Sequence, residues 1–222
     1  MRKLIPNIVI LIVINLIAVT NILAADLNID PTYLKLKIYK FAVSTSVFCT
    51  NPVTIFETDA PTYMDILQNP TFGSGQVADG TYNCVIIEFA DIIKFLPNAT
   101  SDSTHCNSST EATLDVCRSG SSKMSDGTTT TCTVGEDRVA MYLSTTSATS
   151  GGGADAFTPP TTTNDATKGF LLGNALVVSG TGSGKFVVNG TDQICDTADG
   201  SCNGQDSTSC ELMPPAFSFS KL

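Results

Sequence analysis

Tryptophan is absent from the 222-residue chain, and histidine occurs once, at His105. A site built from several imidazoles is therefore excluded, and a sugar-stacking platform lacks the largest aromatic side chain. Basic residues are scarce: 12 Lys and Arg face 21 Asp and Glu, for a formal net charge of -9. That acidic balance excludes a nucleic-acid partner, whose phosphates need a basic surface. No C-x-x-C pair occurs, and the closest cysteines, Cys195 and Cys202, stand seven apart, which disfavours zinc. No helical periodicity of ten or more residues is evident after position 25.

What is present begins with a secretory grammar. Arg2 and Lys3 precede an apolar run over 8–19, and small residues follow at Ala24 and Ala25. Charge, apolar core and small residues in that order predict a signal peptide over 1–25. The competing reading is an uncleaved anchor, the one case in which a membrane becomes a partner. Without Arg2 and Lys3, ten basic groups face 21 acidic ones, and the exported chain carries −11.

All eight cysteines lie in that exported part: Cys49, Cys84, Cys106, Cys117, Cys132, Cys195, Cys202 and Cys210. An even count in an exported chain predicts a disulfide framework of four bridges. One pairing to expect is Cys49 with Cys84, across strands of the ordered N-terminal part. The three N-x-[ST] sequons, at Asn98, Asn107 and Asn189, equal the roughly three that 13 Asn and 51 Ser or Thr give by chance.

Period-two alternation predicts strands. Leu34, Leu36 and Ile38 share one face against Lys35 and Lys37, and the phase slips near Tyr39, as a β-bulge would cause. Further runs lie at 53–56, 63–67, 81–96, 131–143, 170–178, 186–188 and 217–219. The segment 81–89 is apolar on both faces and reads as a core strand. A glycine turn, Gly180-Thr181-Gly182-Ser183-Gly184, predicts a hairpin joining 170–178 to 186–188. Polar, low-complexity stretches at 98–130, 144–168 and 192–210 read as loops; 15 of the 33 residues of the first are Ser or Thr. The fold expected over 26–222 is a single all-β domain, a disulfide-stabilised β-sandwich with long Ser/Thr-rich loops.

Chemistry-bearing motifs are few. Gly184-Lys185 superficially matches a phosphate loop, but Ser179 stands where its first glycine should be and Phe186 where its hydroxyl should be. Asp192, Asp196, Asp199, Asn203 and Asp206 offer oxygens to calcium without the EF-hand spacing; a solvated loop is the simpler reading. His105 reads as a solvated loop residue, with no G-x-S-x-G elbow to accompany it. Asp59, Asp65 and Glu88 are carboxylates among ordered strands, and nothing in the spacing brings two together. No catalytic residue, cofactor or metal ligand is therefore assigned.

Thr58-Asp59-Ala60-Pro61, Asp65-Ile66-Leu67 and Asp79-Gly80-Thr81-Tyr82-Asn83-Cys84 resemble bacterial secreted β-sandwich domains of transthyretin-like type, over about residues 33–96. The resemblance implies a surface or periplasmic module without a known activity, and so bears on fold more than on function. The function expected is a secreted or periplasmic structural or binding module of the cell envelope or extracellular space. Its partner would be a protein or glycan met by exposed loops. The alternatives are a secreted hydrolase using carboxylates or His105, and a fibre or pilus-like subunit donating residues 215–222 to a neighbour's sheet.

Overall fold

A computed structural model describes residues 29–68, 77–101, 104–148, 156–180, 184–196 and 210–221. The signal segment over 1–25, the loop residues 72–75, Cys202, Asp199, Asn203 and Asp206 lie outside them. No helix occurs among the described residues, and the elements are all strands.

The strand β1, Pro31–Ser44, organises the molecule. Its alternation continues through Ile38, and then Tyr39 is left without a counterpart where Ile38 pairs Phe89 and Lys40 pairs Glu88. This is the bulge read from the phase slip, and it re-aims Phe41 and Val43 into the same core as Leu34 and Leu36. Along one edge of β1 run β5 (Cys84–Ala90) and β6 (Ile92–Pro97), both antiparallel. Along the other edge lie β2 (Val53–Glu57) and β3 (Tyr63–Asp65). The sheet extends from β6 to β7 (Ala112–Asp115), and from β5 to β10 (Arg138–Ser144) and β11 (Phe170–Leu171).

A second layer covers the apolar face of this sheet. The pair β13 (Gly184–Asn189) and β16 (Ala216–Lys221) brings Phe186, Phe217 and Phe219 inward. Phe186 meets Phe41 edge-on at 5.6 Å and stacks on Phe217 at 6.0 Å. The short pairs β4 (Gly80–Tyr82) with β12 (Leu176–Val178), and β14 (Ile194–Asp196) with β15 (Cys210–Leu212), complete it. The fold is an all-β sandwich stabilised by disulfides.

Two expectations need correction. The hairpin across the glycine turn does not form: β12 pairs β4, and β13 pairs β16, because Phe186 and Val188 of β13 share one buried face with Phe217 and Phe219 of β16. The loop readings fail in part as well: β14 lies within 192–210, and the stretch 98–130 is also not all loop. It contains β7, and its β8 (Gly120–Lys123) forms a hairpin with β9 (Thr129–Cys132). This hairpin lies on the outer face of β10, where Ser122 accepts the Ala140 N–H at 2.7 Å and Tyr142 donates to the Lys123 carbonyl at 2.6 Å. Its hydroxyls satisfy backbone groups, so a polar composition still forms ordered structure.

Three bridges join described residues: Cys49–Cys84, Cys106–Cys210 and Cys117–Cys132. Cys195 is also disulfide-bonded. The pairing expected for Cys49 and Cys84 is present. Three intramolecular bridges indicate folding in an oxidising, extracytoplasmic environment.

The sheet forks at Asp91. This residue separates β5 from β6, at the point where β10 begins on one side and β7 ends on the other. Asp91 ties both branches: its N–H donates to the Asp137 carbonyl, its Oδ1 accepts the Asp137 N–H at 2.7 Å, and its carbonyl accepts the Val116 N–H. Asp91 Oδ2 and Asp115 Oδ1 are buried without a hydrogen-bond partner among the described residues. Burial, reinforced by the Asp115 and Asp137 carboxylates, pushes the Asp91 carboxyl up to about 6.

An aspartate in an unfolded chain titrates near 3.9. Between about 4 and 6 the native state therefore binds more protons, and stability falls as pH rises through that window. Above it the cost is on the order of 3 kcal/mol. Asp91→Asn keeps the Oδ1 acceptor and places an N–H donor where Oδ2 has no partner. We expect urea denaturation of the variant to show a gain of about 1–3 kcal/mol at pH 7.5 and a flatter profile between pH 4 and 7. Equal slopes for both proteins would refute this role for Asp91.

Candidate functional site

Between the two layers lies a cavity of about 370 Å³. One wall is the inner face of the large sheet: Leu34 and Leu36 of β1, Phe89 of β5, Ile93 of β6 and Met141 of β10. These side chains point inward because strand alternation places them there, opposite the lysines of β1 and β6. The other wall is the connection from β15 to β16, with Leu212, Met213, Pro214, Pro215 and Phe217. Prolines carry no N–H, so two consecutive prolines remove two polar donors from that wall.

The wall is pinned at both ends. Cys210 is bridged to Cys106, the Met213 N–H donates to the Gln193 carbonyl at 2.7 Å, and the Phe217 carbonyl accepts the Gly173 N–H at 2.8 Å. Three polar residues reach the cavity: Arg118, Ser119 and Glu211. Arg118 and Ser119 occupy the turn after Cys117, held by the bridge to Cys132. An apolar interior of this size with few polar groups is the usual form of a small-molecule site.

The residues considered from sequence lie elsewhere and apart. His105 is not simply solvated, because its Nδ1 lies 3.1 Å from Oδ1 of the fully buried Asp196. Asp196 also accepts from the Ser101 hydroxyl and the Cys106 N–H, so it ties both residues to β14. Among the described residues His105 is hydrogen-bonded to no serine. Asp65 caps the backbone, accepting the Leu34 and Leu67 N–H groups. Glu88 is buried beneath Arg138, which donates through Nε at 3.0 Å and Nη2 at 2.6 Å. Asp59 is exposed in the turn after β2. Asp65 and Glu88 thus have separate structural partners, and no bond among the described residues joins the three carboxylates.

Two further surfaces bear on ligands. Lys35 lies over the Tyr33 ring at 3.8 Å, Lys94 and Lys37 over Tyr63 at 4.9 and 5.0 Å, and Arg138 over Tyr39 at 4.7 Å. Glu111 accepts from Lys94, Tyr33 and Lys35, which holds its carboxyl down to about 2. The outer tyrosine faces are thus covered by cations and not presented flat to a sugar. Among the described residues no three His, Cys, Asp or Glu side chains form a metal-holding group, and Asp196 of the acidic loop is engaged as above.

Sequence reasoning missed the cavity. Its wall comes from a Pro-Pro segment whose only signal was the run of alternating phenylalanines after it, and Arg118 stood in a stretch read as loop. Fold and cavity together define a class: a disulfide-stabilised β-sandwich with an apolar interior site. Compared with family models, with curated proteins and with solved structures, the chain matches none of them.

Proposed function

We propose that the protein is a secreted or periplasmic binding module that holds a small apolar molecule in its interlayer cavity. The observation that carries this reading is the cavity itself: about 370 Å³, walled by apolar side chains of both layers and by a proline segment. Such a volume lies in the range of about 300–1,000 Å³ typical of ligand sites. The resemblance of residues 33–96 to secreted sandwich modules agrees with it. Two observations count against the alternatives. The strand that a fibre subunit would donate, β16, is paired with β13 of its own chain. His105 is engaged with an anchoring carboxylate rather than with a nucleophile among the described residues.

The test is titration of the oxidised protein with the neutral fluorophore N-phenyl-1-naphthylamine. Binding with a blue-shifted emission is expected, at one site per chain. Met141→Phe and Ile93→Phe each add bulk to the cavity and should weaken binding about tenfold, with circular dichroism unchanged. Failure of the wild-type protein to bind any apolar probe would overturn the proposal. So would robust ester, glycoside or peptide turnover that disappears in His105→Ala.

A further inference from the structure

We infer that the cavity's ligand is an anionic amphiphile, an apolar chain whose carboxylate or phosphate head is met by Arg118. The inference rests on the binding reading above and names its ligand class. Two charged residues line the cavity, and they differ in one respect. Glu211 is buried and already has an interaction partner. Arg118 is exposed and has no ion pair or hydrogen bond among the described residues. Of the other described cations, Lys35, Lys37, Lys40, Lys94 and Arg138 sit in ion pairs with Glu111, Glu136, Glu57 or Glu88, whereas Lys123, Lys168 and Lys185 do not; among the described cations Arg118 alone lines the cavity.

In an acidic chain, a cation left open beside an apolar cavity is a local exception. The uncommitted charge at this site is therefore positive. Guanidinium presents a planar fork of N–H donors that matches carboxylate and phosphate oxygens, and the neighbouring Ser119 hydroxyl adds a further donor or acceptor. The turn carrying Arg118 is fixed by the Cys117–Cys132 bridge, so the head-group position is held by a rigid element. An alkyl chain needs no polar partner, and the walls of Leu34, Leu36, Ile93 and Met141 offer it none.

The experiment is displacement of bound N-phenyl-1-naphthylamine by decanoate, decyl phosphate, decanol and decylamine. At low salt, at least one anion should displace the probe at about fivefold lower concentration than decanol, the preference an exposed charge pair supports. Decylamine should be the weakest competitor. Arg118→Gln should remove the anion preference, and Arg118→Glu should reverse it, each anion being read relative to decanol in the same variant. The stronger of the two anions identifies the head group, a fatty acid or a phospholipid fragment. If the probe binds but anions and alcohol compete equally, or if Arg118→Gln keeps the preference, this inference fails while the binding module stands. If the probe does not bind, both fail.

Discussion

Replacing Cys106 and Cys210 together by alanine is expected to lower stability by about 4–5 kcal/mol, more than removal of either other bridge between described residues. The bridge closes a separation of 104 residues, whereas Cys49–Cys84 spans 35 and Cys117–Cys132 spans 15. Loop-closure entropy alone gives about 4.7, 3.8 and 3 kcal/mol for the three. Burial does not separate the three bridges, because all six cysteines are buried. Urea denaturation of the oxidised variants would establish the ranking, and a smaller loss for Cys106/Cys210 than for Cys117/Cys132 would contradict it. A second consequence is local. Cys210 begins the segment that walls the cavity, so apolar probe binding should weaken in this variant and persist without the Cys49–Cys84 bridge, which lies among residues of the opposite face.

The second large effect concerns Arg138. Glu88 is 3% exposed, in the middle of β5, and its charge is met by the forked Arg138 guanidinium and by the Ser125 hydroxyl and N–H. Arg138→Ala should cost about 3 kcal/mol, because a buried carboxylate then keeps only one neutral residue as partner. The double variant Arg138→Ala, Glu88→Gln should recover most of the loss, since no unpaired charge remains. Thermal denaturation of the two singles and the double forms the cycle. If Arg138→Ala costs less than 1 kcal/mol, or if the double is no better than the single, the pair is not a structural unit.

What could be read from the sequence was local and periodic. The alternation of Leu34, Leu36 and Ile38, the slip at Tyr39 and the two-faced apolar run before Phe89 each depend on neighbours in the chain, and each appears in the fold as expected. The strand partners of Phe186 and Phe217 were not legible, because adjacency in sequence favoured a hairpin that side-chain packing overrides. His105 and Asp196 stand 91 residues apart in polar stretches, and only the pairing of β14 with β15 and the Cys106–Cys210 bridge bring them together. The Ser/Thr-rich stretch misled for a different reason. Composition measures burial of apolar surface, while β8 and β9 are held by hydroxyl-to-backbone bonds and by a disulfide. The cavity depends on where two layers fail to touch, which no residue pattern encodes.

The central strand β1 has a bearing on the order of assembly. All four strands that pair with it, β2, β3, β5 and β6, lie within residues 53–97. A chain delivered with its N-terminus first can therefore complete this frame while the last third is still absent. The thiol of Cys106, by contrast, must wait for Cys210, with Cys117 and Cys132 nearer in the chain as wrong partners. Refolding from the reduced state should accumulate mispaired isomers that a thiol–disulfide isomerase resolves, and the protein's yield in an expression host will follow that host's isomerase capacity rather than its chaperones.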